Sequence, residues 1–373
     1  ESARDAYRRL IAPSIETELR NQLTERAEES AISVFGMNLK QLLLQPPLSG
    51  KIILGWDPGF RTGCKLAVID ETGRVLDTAV IYPTAPRHEI RESLSLLSSL
   101  VKKYGVSLIS LGNGTASRES EQIIADFIRE SRLPLRYVIV NEAGASVYSA
   151  SRLGAEEFPD FDPGQRSAVS MARRLQDPLS ELVKIDPQSI GVGQYQHDVS
   201  QKELKETLDA TVEDAVNYVG VDLNTASPAL LNRIAGINTA IAKNIVAYRN
   251  EHGRFASRKA LLKVSRLGDA AFTQCAGFLR IYDGETPLDS TAIHPESYEL
   301  ARSILAELGA SEEDLHDRTK LPALALKTAQ TEAASLAKKL GAGVPTVTDI
   351  LKAIARPGRD PREDLPAPLT RQN

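Results

Sequence analysis

Asp57 closes a short apolar run, Lys51-Ile-Ile-Leu-Gly-Trp56, and is followed by a Pro58-Gly59 turn, Arg61 and a second apolar run. Gly50 on one side and Pro58-Gly59 on the other bound the run as a buried strand. The carboxylate therefore stands at the strand's carboxyl end, aimed at the mouth of a sheet. In that position it can open an active site; an Asp before Pro-Gly can equally do no more than hydrogen-bond its own turn. Arg61 has two readings as well. It can reach a phosphate across the turn, or it can pair with a cleft carboxylate, which would neutralise the cleft and count against a bound metal.

A second kind of chemistry, phosphate binding, is written further along. Ser227-Pro228 starts a helix that leads through Leu230, Leu231 and Ile234 into Ala235-Gly236-Ile237-Asn238, and Thr239 caps a helix over Ala240–Asn250. About 30 residues later the pattern repeats. Ser257 caps Arg258–Val264, Ser265-Arg266-Leu267-Gly268 turns, and Asp269–Phe278 follows. These are two helix-hairpin-helix units. Backbone N–H groups at such a turn and helix start can hold phosphate oxygens without reading bases, while Ile237 and Leu267 anchor the turns. The usual turn has Gly on both sides of the apolar residue. Here Asn238 replaces one, at little loss because Asn tolerates a left-handed backbone, and Arg266 replaces another, adding charge. From Asp222 to Asp283 nine Lys or Arg face four acids, a local surplus of five in a chain of net charge −4. Lys243 and Arg266 are the leading phosphate contacts, with Gly236, Ile237, Asn238, Arg258, Lys263, Leu267 and Gly268 completing the surface. The alternative is that the hairpins pack or dock protein behind a solvated basic face. His197-Asp198 could ligate a metal, but no second His or Cys lies at ligand spacing, so the loop Gly191–His197 reads as packing and no metal ligand is assigned.

The elements that must position these groups follow from periodicity. Apolar runs at Lys51–Trp56, Lys65–Asp70 and Val75–Tyr82, joined by short turns, make three antiparallel strands. Helix His88–Tyr104, strand Val106–Leu111, helix Ser117–Arg132 and strand Arg136–Val140 follow in alternation. Three antiparallel strands and then helix-strand-helix-strand is the order of the ribonuclease H-like fold. Its first, fourth and fifth strands lie together, so Asp57, Asn113 and Glu142 share one cleft. Before the sheet, Ile15, Leu19, Leu23 and Ala27 recur at helical spacing, with Ser14 as N-cap and Pro46-Pro47 as stop. Ser200–Val219 reads as a polar helical connector.

Several stretches resemble one family closely. Asp57-Pro-Gly-Phe-Arg-Thr-Gly63, Gly112-Asn-Gly-Thr115 and Asn141-Glu-Ala-Gly-Ala-Ser146 resemble the YqgF domain of the Tex transcription accessory proteins. Ala172-Arg-Arg-Leu-Gln-Asp-Pro-Leu179 and Ile190-Gly-Val-Gly-Gln-Tyr-Gln-His-Asp198 resemble long stretches typical of that family. The resemblance implies nucleic-acid binding, mainly RNA, and association with the transcription machinery, polymerase or ribosome-linked. It also puts Asp57 and Glu142 where resolvases of the RuvC and YqgF type carry their first two carboxylates. A nuclease of this fold holds two divalent metals about 4 Å apart on three or four carboxylates. The third acid should come from the domain's last helix, where Asp177, just before Pro178, is the available residue. Mg2+ or Mn2+ would be needed only if the cleft cleaves; a nuclease fold kept as a binding platform needs no cofactor, and a protein-interaction module of the transcription machinery is a further alternative.

The resulting fold class is multidomain α/β plus all-α. A helical scaffold occupies 1–49, a ribonuclease H-like YqgF domain 50–199, tandem helix-hairpin-helix units 200–284, a helical C-terminal domain 285–356, and a linker 357–373 of the kind that precedes an OB-fold domain in Tex proteins. At 373 residues several domains are expected, and 42% hydrophobic with 25% charged residues describes a globular chain. No apolar run approaches the roughly 18 residues of a membrane helix. Cys64 and Cys275 lie far apart in apolar contexts, which suits reduced core thiols in the cytoplasm. The start on Glu1 and the Pro-rich charged end suggest a core fragment of a longer protein.

Overall fold

The computed structural model describes residues 1–372. The helical spacing near the start is realised as α1 (Ala12–Leu43), preceded without a break by a short helix Ser2–Ala6 and a π-helical turn Tyr7–Ile11. Ser14 is therefore no cap: the helix is already under way. The π turn lies just ahead of Pro13, which has no N–H to offer the carbonyl four residues earlier in an ordinary α-turn. Ile15, Leu19 and Leu23 lie on the helix as expected but are 47%, 55% and 65% exposed; burial begins at Ile32 and continues through Phe35, Leu39 and Leu43.

The sheet contains β1 (Ile53–Asp57), β2 (Cys64–Ile69), β3 (Val75–Ile81), β4 (Leu108–Gly112) and β5 (Arg136–Val140), in the spatial order β3-β2-β1-β4-β5. β1, β2 and β3 pair antiparallel through short turns, and β1, β4 and β5 pair parallel. The parallel pairs require crossovers, supplied by α2 (Ile90–Tyr104) and α3 (Ser117–Ser131). One face of the sheet packs Leu54, Trp56 and Ile109 against Leu97, Val101, Ile124 and Phe127 of these helices. The other packs Ile53, Ala67 and Ile69 against Ala168, Ala172 and Leu175 of α4 (Pro163–Gln176). Successive residues of a strand face opposite ways, so Ile53, Gly55 and Asp57 all point toward α4. A Cβ at Gly55 would stand 2.1 Å from the Ala168 carbonyl oxygen and 2.7 Å from the Ala172 nitrogen. Glycine there lets α4 lie directly on β1, and that close approach carries α4's polar side chains over Asp57.

α5 (Gln201–Val219) is not the polar connector its composition suggested. Leu204, Leu208, Val212, Ala215 and Val216 form a buried stripe at three- and four-residue spacing. They join the buried half of α1, residues Leu179–Val192 and both hairpins in one continuous core. Of the loop before His197 only Val192 is buried: the Phe35 ring lies against Gly193 and Asn38 donates to the Val192 carbonyl oxygen at 2.7 Å, while Tyr195 and His197 are exposed. A third core gathers Leu288–Ile354.

Candidate nucleic-acid interface and the carboxylate cleft

The carboxyl ends of β1, β4 and β5 bring Asp57, Asn113 and Glu142 together. Asn113 Oδ1 accepts the Glu142 backbone N–H at 3.0 Å, so Asn113 helps to position the acid. The Gly114 N–H also bonds the Glu142 side chain. A Cβ at Gly114 would overlap Glu142 Oε1 at 1.6 Å, so the glycine makes room for this carboxylate. Glu142 Oε2 is buried with no hydrogen-bond partner. Burial pushes Asp57 above its ordinary value, opposed by a hydrogen bond from Ser167 and the charges of Lys65 and Arg174. Burial and the neighbouring Asp57 charge push Glu142 up in the same way, opposed by the Gly114 bond and Arg174.

Arg174 from α4, not Arg61, is the buried cation near these acids; among the described residues it forms no ion pair with either, and the Glu181 charge acts on it ahead of theirs. Arg61 is exposed and forms no ion pair among the described residues. Arg174 is 4% exposed. Its Nη1 donates to the carbonyl oxygens of Asn141 and Ala143, both at 2.8 Å, on either side of Glu142. Asp177 does not complete a metal site. Its side chain caps the short helix Pro178–Leu182, accepting from the Ser180 N–H and hydroxyl, and pairs with Arg362 at 2.7 Å. Among the described residues no group of three or more His, Cys, Asp or Glu is placed to hold a metal. Two acids, one of them walled in by glycines, with Asp177 turned away, do not fit a two-metal centre.

The two hairpins form as expected, with local corrections. α6 (Thr239–His252) is capped by Asn238, whose Oδ1 accepts the Ile241 N–H at 2.9 Å; Thr239 is its first helical residue. Arg258–Lys263 is a 3-10 turn, and Gly268 precedes α7 (Asp269–Cys275). The units pack on each other reciprocally. A Cβ at Gly236 would meet Gln274 Cβ at 2.7 Å and the Ala271 carbonyl oxygen at 3.1 Å of α7, and Asn244 of α6 donates to the Ser265 carbonyl oxygen in the second turn at 2.9 Å. Gly236 and Arg266 occupy matching left-handed positions, with φ of +80° and +67°. Arg266 adopts there a conformation that glycine takes without strain, and it holds a charge at the turn's surface. Ile237 and Leu267 are buried anchors.

Arg258 is a correction. It is 1% exposed, and its guanidinium donates to the carbonyl oxygens of Leu279, Thr291 and Ile293 and to the Tyr298 hydroxyl. It ties the hairpin units to the following segment and is not available to phosphate. Arg280 is likewise buried, Arg249 donates to two carbonyls, and Arg233 and Arg254 pair with Asp209 and Asp283. Of the nine cations, Lys243, Lys259, Lys263 and Arg266 remain exposed with no ion pair among the described residues.

Residues 51–176 match the Tex protein YqgF-like domain, residues 216–280 the helix-hairpin-helix motif, and residues 286–362 the HHH domain. Protein tex of Bordetella pertussis is 52% identical over 366 residues, 98% of this chain and 45% of the relative. The chain belongs to the Tex family. The transcriptional accessory protein Tex of Neisseria gonorrhoeae is 51% identical over 97% of the chain and 46% of its own length. Human S1 RNA-binding domain-containing protein 1 is 42% identical over 83% of the chain and 36% of its own length. The chain thus spans about half the length, or less, of the Tex relatives it matches.

The match over 286–362 identifies helix-hairpin-helix character in the segment read from sequence only as helical. The available signal was Gly341-Ala342-Gly343, the Gly-apolar-Gly pattern missing from the other two turns. It joins the helix Ala333–Leu340 to α8 (Val344–Ala355), with Pro345 in the first turn.

Proposed function

We propose that this chain is the nucleic-acid-binding core of a Tex-type transcription accessory protein, holding backbone phosphates at its paired hairpins without reading sequence. The observation that carries this is the placement of Lys243, Lys263 and Arg266, exposed and with no ion pair among the described residues, around two reciprocally packed turns. Gly236, Ile237, Asn238, Leu267 and Gly268 shape those turns. RNA is the favoured ligand, in keeping with the name of the human relative. The name of the Neisseria gonorrhoeae relative, transcriptional accessory protein Tex, supports a setting in transcription; the polymerase or ribosome-linked machinery of the cytoplasm is the partner this reading proposes. The YqgF cleft acts as a platform without catalysis in this reading, since it gathers only two acids, Asp57 and Glu142, while Asp177 is bonded to Ser180 and Arg362.

Fluorescence anisotropy with a mixed-sequence single-stranded RNA, titrated in salt, tests the proposal. Binding is expected at about 50 mM salt and weakens as salt rises, because released counterions drive it. Lys243→Glu with Arg266→Glu lowers affinity at least about tenfold and flattens the log–log salt dependence by roughly one to two units. Absence of binding at low salt, or unchanged binding by the double variant, rejects the hairpin surface. A duplex DNA arm decides the RNA preference, and metal-dependent cleavage abolished by Asp57→Asn would reject the non-catalytic reading.

A further inference from the structure

We propose that the His252 ring is a stacking platform for an unpaired nucleobase, taking up a base of the same single strand whose phosphates the hairpins hold. The inference rests on the proposed phosphate surface and adds to it a contact that tells single strands from duplexes.

Three rings stand in a row at the end of α6. Phe255 is buried and its backbone is fixed by Asn224, whose Oδ1 accepts the Phe255 N–H at 2.8 Å and whose Nδ2 donates to its carbonyl oxygen at 3.1 Å. Tyr248 lies on Phe255 with ring centroids 5.2 Å apart, and His252 lies on Tyr248 at 4.2 Å with 13° between the planes. His252 Nδ1–H donates to the Tyr248 carbonyl oxygen at 3.2 Å, which holds the imidazole in that pose. The His252 side chain is 51% exposed and, among the described residues, stacks on no ring besides Tyr248. One face of the imidazole is covered and the other is left to solvent, a preset flat surface at the open end of a stack.

The geometry of α6 joins this stack to the phosphate surface. Asn244, Tyr248 and His252 recur every four residues and share one face of the helix. Asn244 touches Ser265 in the second turn, next to Arg266, and His252 lies about 12 Å further along the axis. The chain then returns beside that face. It leaves from Phe255 under the stack and reaches Ser265 at Asn244, and the returning turn Arg258–Lys263 carries the exposed Lys259 and Lys263. A single strand running from Arg266 along this face meets cations at its phosphates and a ring at its far end. Glu251 stands 3.9 Å from His252 Nδ1, which disfavours a phosphate there and leaves an uncharged base as the better occupant. Bases in a duplex are already stacked on their neighbours, so an unpaired base is the one able to extend the row.

A histidine that only complements the last carbonyls of α6 would stack in the same way, so the test reads affinity and strand type. Fluorescence anisotropy compares the wild type, His252→Ala and His252→Trp on a mixed-sequence single-stranded RNA and on the same sequence as a duplex, each over a salt series. The inference expects His252→Ala to weaken single-strand binding at least about fivefold, with the log–log salt slope unchanged within about half a unit and duplex binding within about twofold. It expects His252→Trp to restore the wild-type affinity and its new indole emission to be quenched as RNA binds, over the constant background of the buried Trp56. Unchanged single-strand binding by His252→Ala, an equal loss on the duplex, or a slope shallower by about one unit, the mark of a lost phosphate contact, overturns the inference and leaves the hairpin surface standing. Absence of RNA binding by the wild type rejects the hairpin surface and this inference with it. Should His252→Ala not fold, the indole decides: RNA binding by His252→Trp without quenching overturns the inference.

Discussion

The carboxylate cleft and the paired hairpins both gather charge, and they treat it in opposite ways. In the cleft, Asp57 and Glu142 are partly buried beside α4, Gly112 and Gly114 wall Glu142, and Arg174 is tied to the backbone on either side of it. At the hairpins, Lys243, Lys263 and Arg266 stand in solvent with no ion pair among the described residues. Buried charge enclosed by its own chain has little left to offer a ligand, and its removal is felt as lost stability. Exposed unbalanced charge contributes little to stability and much to attracting a polyanion. The comparison locates binding at the hairpins although the cleft has the more enzyme-like residues. Arg258 shows that sequence position alone does not decide: it sits between the hairpins and behaves like a cleft residue.

Arg258 gives the largest expected effect and the sharpest way to break the comparison. Arg258→Met removes the donors of three buried carbonyl contacts and a tyrosine bond. The expected loss is on the order of 3–5 kcal/mol in denaturant unfolding, with the affinity of the folded protein for RNA changed less than about twofold. A large affinity loss with unchanged stability would move Arg258 back to the phosphate surface.

A smaller effect is expected from pH. Asp57 and Glu142 are held above their ordinary values, first by burial, so the folded state binds protons that the unfolded chain releases. Their contribution to stability therefore falls as pH rises from the ordinary carboxylate range through the raised values, and it is recovered on acidification. Asp57→Asn should flatten that part of the stability–pH curve. An unaltered curve would mean that the acids are not coupled to folding.

Much of the sheet was legible because its signals are local. Gly50, Pro58-Gly59 and Gly73 punctuate short apolar runs, and strand periodicity then fixes which residues share a face. That was enough to place Asp57 beside Glu142, which Asn113 and Gly114 hold in position. What escaped depends on contacts distant in sequence. Nothing near Arg258 announces that residues 279–298 enclose it, and nothing near Asp177 announces Arg362. The place of Arg174 depends on Gly55 admitting α4 to the sheet. The buried stripe of α5 was overlooked for a different reason: its many Lys, Glu and Asp dominate the composition while four-residue spacing carries the core. Gly341-Ala342-Gly343 was readable and fits the hairpin pattern better than either turn that was read.

The central claim, that the hairpins and not the cleft hold nucleic acid, is tested most directly by one binding measurement on three proteins. RNA affinity at low salt is compared for the wild type, a cleft variant Asp57→Asn with Glu142→Gln, and the hairpin variant Lys243→Glu with Arg266→Glu. The account predicts that the cleft variant binds within about twofold of the wild type while the hairpin variant is at least about tenfold weaker. The reverse ranking, with affinity lost in the cleft variant and kept in the hairpin variant, would contradict it.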